Sequence, residues 1–171
     1  MIITRRAVPE DAWAIATIHV RAWQKAYRGI VPDDYLDTLS IDQRATGWRQ
    51  ILTHKDSGDV WVALKDDLVL GWISSGPSRD SGSGPATGEI WAIYVSPEHW
   101  RTGIGRLLYA EAEQRLAELG MKEVTLWVLK GNTHARRFYE SLGFSIDPGA
   151  EKTMTKTGAE LSELRMRKQL S

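Results

Sequence analysis

The chain has 171 residues and no cysteine, and its 22 Lys and Arg balance 22 Asp and Glu. This length buries a core without covalent staples, so one domain over residues 1–171 is expected, and disulfides, thiolate metal sites and a cysteine acyl-enzyme are excluded. The even charge, a pI near 6.9, an N-terminus without an apolar signal core and the lack of any bilayer-length apolar run argue against nucleic-acid and membrane partners and for a cytoplasmic protein.

"IITRRA" reads as a first strand and "PEDAWAIATIHVRAWQKAY" as a helix, with Pro9 and two acids in its opening turn. Its apolar positions Ala12, Ile15, Ala16, Ala22, Trp23, Ala26 and Tyr27 recur at helical spacing. "DDYLDTL" suggests a short second helix. Ser40 with Gln43 forms a capping-box pattern that opens a third, "SIDQRATGWRQILT". "DVWVAL" and "LVLGWISSG" flank Asp66-Asp67 as a β-hairpin. The biased stretch from Gly76 to Gly88 reads as a mobile excursion between two strands.

"EIWAIYV" is then a strand and "KEVTLWVL" a strand buried on both faces, with a long helical pattern between them. "NTHARRFYESLG" is a short helix with Asn132 as N-cap and Gly143 as its stop, and "ELRMRKQL" closes the sheet. The order βαα-βββ-αβ-αβ indicates an α/β protein with a mixed sheet.

Between the strand at Glu89 and the helix that follows stand Gly103 and Gly105. Glycine lets backbone approach a ligand closely, and the first turn of a helix offers free N–H groups and a positive dipole end. With Arg101 and Arg106 alongside, the segment suits a pyrophosphate. It lacks the Gly-Lys-Ser/Thr of a P-loop and the third glycine of a dinucleotide fingerprint, and by itself it is equally a tight turn.

The segment from Glu89 to Phe144 resembles the GNAT superfamily of N-acetyltransferases, whose acetyl-CoA loop reads R/Q-x-x-G-x-G/A between a strand and a helix. That frame falls on Trp100-Arg101-Thr102-Gly103-Ile104-Gly105, with Trp100 where the family has Arg or Gln. "NTHARRFYESLGF" is similar to the family's N-x-x-A-x-x-x-Y-x-x-x-G-F segment, and the stretch from Ile15 to Ser40 has the look of its variable substrate region. The resemblance implies a mixed, mostly antiparallel central sheet flanked by helices, the strands on either side of the glycine helix splayed to admit acetyl-CoA. It further implies that Arg101, Thr102, Gly103, Ile104, Gly105 and Arg106 hold the pyrophosphate. Ile93, Tyr94, Val95 and Asn132 would hold the pantetheine arm, with Tyr139 beside it.

An alkyl amine with a pKa of about 10.4 must lose a proton before it attacks, and a departing thiolate needs one. Glu89, six residues before Val95, matches the catalytic glutamate of the family's histone-modifying branch; a solvated glutamate is the alternative. Tyr139 is the expected general acid, two helical turns from Asn132, or else a packed aromatic. Trp23 and Tyr27, four residues apart, either wall an acceptor pocket with Glu89 or belong to the core. Arg136 and Arg137 either touch the cofactor's ribose phosphate or lie on a solvated face.

The four histidines show no metal-ligand spacing, so no metal is expected, and no G-x-S-x-G elbow supports a serine acyl-enzyme. Trp127 stands where the branch acting on peptide N-termini has a glutamate. The expected activity is transfer of an acetyl group from acetyl-CoA to a primary amine of a small molecule, in a ternary complex. Protein lysine or N-terminal acetylation and a non-catalytic acyl-CoA-binding regulator are the alternatives. A homodimer is compatible with the resemblance.

Overall fold

Alternation and helical period become strands and helices in a computed structural model that describes residues 1–54, 58–155 and 158–171. The strands are β1 (Ile3–Arg6), β2 (Asp59–Lys65), β3 (Leu68–Pro77), β4 (Thr87–Val95), β5 (Glu123–Leu129), β6 (Ser145–Met154) and β7 (Leu161–Gln169). The helices are α1 (Ala12–Ala26), α2 (Asp33–Asp37), α3 (Ile41–Thr53), α4 (Ile104–Glu118) and α5 (Thr133–Ser141). Local chemistry sets their ends. The Ser40 hydroxyl accepts from Gln43 N at 3.2 Å, and Asn132 Oδ1 accepts from Ala135 N at 3.1 Å. Asp66 and Asp67 take left-handed φ values of 50° and 65°, as a two-residue hairpin turn requires and Asp tolerates.

Three expectations are corrected. Pro9 opens a 3-10 turn, Pro9–Asp11, before the α-helix proper begins. The segment from Gly76 to Gly88 is shorter than its composition suggests, because both ends lie inside strands, and it is fastened. Ser78 N donates to Thr87 O (2.9 Å), while the Trp127 indole N–H donates to Asp80 (2.9 Å). β6 is an unanticipated strand, since Pro148 and Gly149 read as breakers. It survives because it is an edge strand, where proline is tolerated, and its register with β7 jumps between Ile146 and Glu151.

The seven strands run in the order β1-β2-β3-β4-β5-β7-β6, with β4 and β5 the parallel pair and every other pairing antiparallel. On one face α4 presents Ile104, Leu108, Ala112 and Leu116, one per helical turn, to Leu70, Ile73, Ile90, Leu126 and Met166. Burying each large member contributes roughly 1.5–3 kcal/mol. On the other face Ile15, Ile18 and Trp48, from α1 and α3, cover Val60, Val62 and Trp72.

Two irregularities prepare the site. β4 and β5 pair only from Thr87–Glu123 to Glu89–Thr125, then separate. β4 also carries one residue more than β3 between Ile90, opposite Ser75, and Ala92, opposite Ser74, so Trp91 is a bulge. The bulge shifts side-chain alternation by one. Ile90 and Ile93 therefore both face α4, while Ala92 and Tyr94 face α1.

Candidate active site

A cavity of about 740 Å³ opens where β4 leaves β5. Its walls are β4 from residue 90 to 95, the loop into α4, the end of β5, one side of α5 and the last turns of α1. It joins in one space two groups of residues that are far apart in sequence.

One end is built for an anion. Gly103 caps α4 with φ 87°, and Arg101 is left-handed at 64°, so the loop curls back on itself ahead of the helix. A Cβ added to Gly103 would meet no protein atom within 4 Å; the space in front of it is cavity. At Gly105 a Cβ would stand 3.0 Å from the Phe138 ring, and this close approach seats α5 beside the loop. The first-turn N–H groups of α4 have no intrahelical acceptors and carry the positive dipole end. Arg101 and Arg106 line the same end, the Arg106 guanidinium donating to the Ser141 hydroxyl at 2.9 Å. Thr102 does not line the cavity; its hydroxyl donates to His99 O at 2.6 Å and shapes the turn. This cradle fits the pyrophosphate of acetyl-CoA.

The middle is built for an extended, amide-bearing chain. Ser96 N donates to Leu70 O (2.8 Å), so by antiparallel alternation the main chain of Tyr94 also points to β3. Ile93 and Val95 therefore turn their peptide groups into the opening. Val95 O already has a partner, the Trp100 indole N–H at 2.8 Å. Trp100, in the family's Arg/Gln position, thus fastens the loop to β4 and also stacks on His134 of α5 (6.1 Å). Asn132, Ala135 and Tyr139 bring the facing side of α5 to the cavity.

At the third part three phenols converge. The Trp23 indole N–H donates to Tyr94 Oη at 2.8 Å, and Trp23 meets Tyr27 edge-on at 4.9 Å. Burial pushes the Tyr139 phenol above its ordinary pKa, and Tyr94 adds to the effect. Tyr27 is raised by burial and by Tyr94, and Tyr94 by burial. All three therefore hold their protons at neutral pH. Trp23 and Tyr27 line the cavity here, and their aromatic partners form its wall.

Behind Tyr94, His19 stacks at 4.9 Å and lies edge-on to Trp72 at 5.5 Å. Burial, with the Arg44 charge, lowers its pKa to about 3. In the unfolded chain an imidazole takes up a proton below about 6.5, which the folded state resists down to about 3. Stability therefore falls as pH drops through this window, by at most about 1.4 kcal/mol per pH unit. A His19→Phe variant should show a flatter dependence of its urea midpoint on pH between about 5 and 7. An unchanged slope would mean that His19 is protonated in the folded protein.

Glu89 is not brought to this cavity. It sits at the last paired position of β4, opposite Thr125 and below the split, 3% exposed. Its carboxylate accepts from Arg79 N (2.8 Å) and from the Arg79 guanidinium (3.1 Å). Arg79 thus covers its oxygens, and the lining of the cavity begins one residue further on, at Ile90. The carboxylate that does line the cavity is Glu163, on β7 opposite Leu129. Sequence reading passed over it because "ELRMRKQL" is merely an alternating strand until β7 is placed beside β5. Arg137 lines the cavity and Arg136 does not. Among the described residues, no group of three or more His, Asp or Glu could hold a metal, and no helix is long and apolar enough to cross a membrane.

A sheet split above a glycine-started helix, with an anion cradle at one end and phenols at the other, defines an acyltransferase dependent on acetyl-CoA. The acetyltransferase (GNAT) family model matches residues 15–144, and the chain belongs to that family. It is 32% identical over 165 residues to an uncharacterised N-acetyltransferase of Bacillus subtilis, covering 96% of this chain and 91% of the relative. A spermidine N(1)-acetyltransferase of Thermoplasma acidophilum is 22% identical over 147 residues, 84% of this chain and 88% of its own. Among solved structures, yncA of Salmonella typhimurium, determined with its cofactor acetyl-CoA, superimposes with a TM-score of 0.72 at 26% identity. That match covers 99% of this chain and 94% of the other.

Proposed function

We propose that this single domain moves the acetyl group of acetyl-CoA to a primary amine of a small-molecule acceptor, directly and with both ligands bound. The observation that carries the reading is one cavity lined both by an arginine-flanked helix N-terminus and by the aromatic residues Trp23, Tyr27, Tyr94 and Tyr139. Bound acetyl-CoA supplies an activated acyl carbon and a thiolate leaving group. The backbone from Gly103 to Gly105, with Arg101 and Arg106, holds its phosphates. Ile93 and Val95 pair with the pantetheine amides as an added strand would, and Asn132, whose Oδ1 caps α5, lines the same cavity. Tyr139 would donate its proton to the departing sulfur and recover one from the nitrogen of the new amide, the first proton of the acceptor's ammonium having passed to solvent water before attack. Trp23 and Tyr27 wall the acceptor, whose small size is supported by the relative that acetylates spermidine. In this reading Glu89 anchors the segment after β3 through Arg79 and takes no part in proton transfer.

Calorimetric titration with acetyl-CoA tests the reading. Wild-type protein should bind with a micromolar Kd, about −8 kcal/mol at 1 μM. Gly103→Asp should lose the binding, because it sets a β-carbon on a φ of 87° and a carboxylate in the phosphate cradle. Absence of binding to folded wild-type protein would overturn it.

A further inference from the structure

Trp127 on β5 lies opposite Arg165 and Glu163 on β7 lies opposite Leu129, so the two are diagonal neighbours on adjacent strands, and both line the cavity. The Trp127 ring is fixed from behind, its indole N–H donating to Asp80 Oδ1 at 2.9 Å and Oδ2 at 3.1 Å. In front of the pair lies an ammonium that belongs to the chain itself. Lys152 Nζ, from β6, sits 4.1 Å from the centre of the Trp127 ring and 3.7 Å from Glu163 Oε2. An aromatic face and a carboxylate converging on one alkylammonium is the chemistry by which proteins recognise such cations.

Charge elsewhere in the cavity agrees with this. Arg101, Arg106 and Arg137 stand with the loop and α5, while among the described residues Glu163 is the one acid on the wall. Tyr94 of β4 and Glu163 of β7 line the same cavity. The other charged groups around Trp127 are Arg165, 5.8 Å from the ring, and Asp80 and Asp147, with which Arg165 is paired. Lys152 is half-exposed on an edge strand, opposite Glu163 in register, so its ammonium can turn out to water.

We infer that Trp127 and Glu163 form an ammonium subsite for the acceptor, occupied in the free protein by Lys152 as an internal stand-in that the acceptor displaces. The inference rests on the acceptor being an amine. The amine that attacks must be neutral, so a cation retained in this subsite is a second, unreacting one. The acceptor class is therefore an alkyl di- or polyamine.

The two partners of the existing ion pair give the test its sign. Glu163→Gln removes the attraction and should weaken binding of spermidine to CoA-saturated protein roughly tenfold. Lys152→Met removes the competitor and should tighten it about threefold, as a half-exposed ion pair allows. Acetyl-CoA affinity should stay within about twofold of wild type in both variants, since neither residue adjoins the phosphate cradle. A merely structural Lys152–Glu163 pair would move spermidine affinity in the same direction in both variants. That result, equal affinity in all three proteins, or no spermidine binding to the wild type would overturn the inference. The acetyltransferase reading is judged separately, by the acetyl-CoA titration and by turnover of monoamines such as n-butylamine.

Discussion

Tyr139→Phe is expected to lower turnover by about 10²- to 10⁴-fold, the range that a positioned proton donor supplies, and to leave acetyl-CoA affinity unchanged. The substitution removes one oxygen and keeps the ring, which packs against Phe138 at 5.4 Å and Phe144 at 6.0 Å. The hydroxyl is protonated at neutral pH because burial and the neighbouring Tyr94 oppose the phenolate. In the proposed role its proton is therefore available at neutral pH, and turnover should not fall through loss of that proton until alkaline conditions. Single-turnover measurement of thiol release separates this role from product release. Turnover within about threefold of wild type, with the fold intact, would move the proton donor to Tyr94 or Tyr27, the other phenols at the same wall.

Trp72→Ala should cost about 3–5 kcal/mol, a large share of the roughly 5–15 kcal/mol that holds a domain together. Trp72 is fully buried on β3 and sits edge-on to Trp48 at 4.6 Å, with His19 and Tyr94 around it. Truncation leaves a cavity bordered by a β-strand and by two helices, none of which can collapse far. Trp72→Phe should cost much less. It keeps most of the contact area and removes an indole N–H that has no hydrogen-bond partner. The two variants, compared by urea denaturation, separate lost volume from lost polarity. Similar losses in both would show that the indole edge, and not the filled space, is what the core requires. Because Trp72 backs Tyr94, the alanine variant should also weaken acceptor binding, while acetyl-CoA binding persists in the fraction that remains folded.

The chemistry of helix starts was legible in the sequence because it is local. Ser40 and Asn132 cap their own helices within three residues, and Gly103 and Gly105 meet the requirements of a tight loop that turns into α4. The hairpin at Asp66-Asp67 is equally local. The likeness of two such segments to one family, in the right order, then implied the split sheet and the place of acetyl-CoA between its strands.

What escaped depended on contacts between distant segments. β6 has too much proline and glycine to be read as a strand, and only its place at the sheet edge beside β7 makes it one. Tyr94 could be assigned to a strand, but the face it takes depends on the bulge at Trp91, which exists only in the register of β4 against β3. Glu89 and Glu163 make the sharpest contrast. Each is a glutamate on a strand, and the family resemblance pointed to Glu89 by its place six residues before Val95. Folding closes Arg79 over Glu89 and sets Glu163 at the opening, beside Trp127 and Lys152. By itself the sequence determined the elements other than β6, the tight glycine loop ahead of α4 and the family likeness, since turns and caps are decided within a few residues. Only the tertiary structure decided which carboxylate lines the cavity, because a strand's neighbours are chosen by sheet pairing and not by the chain on either side of it.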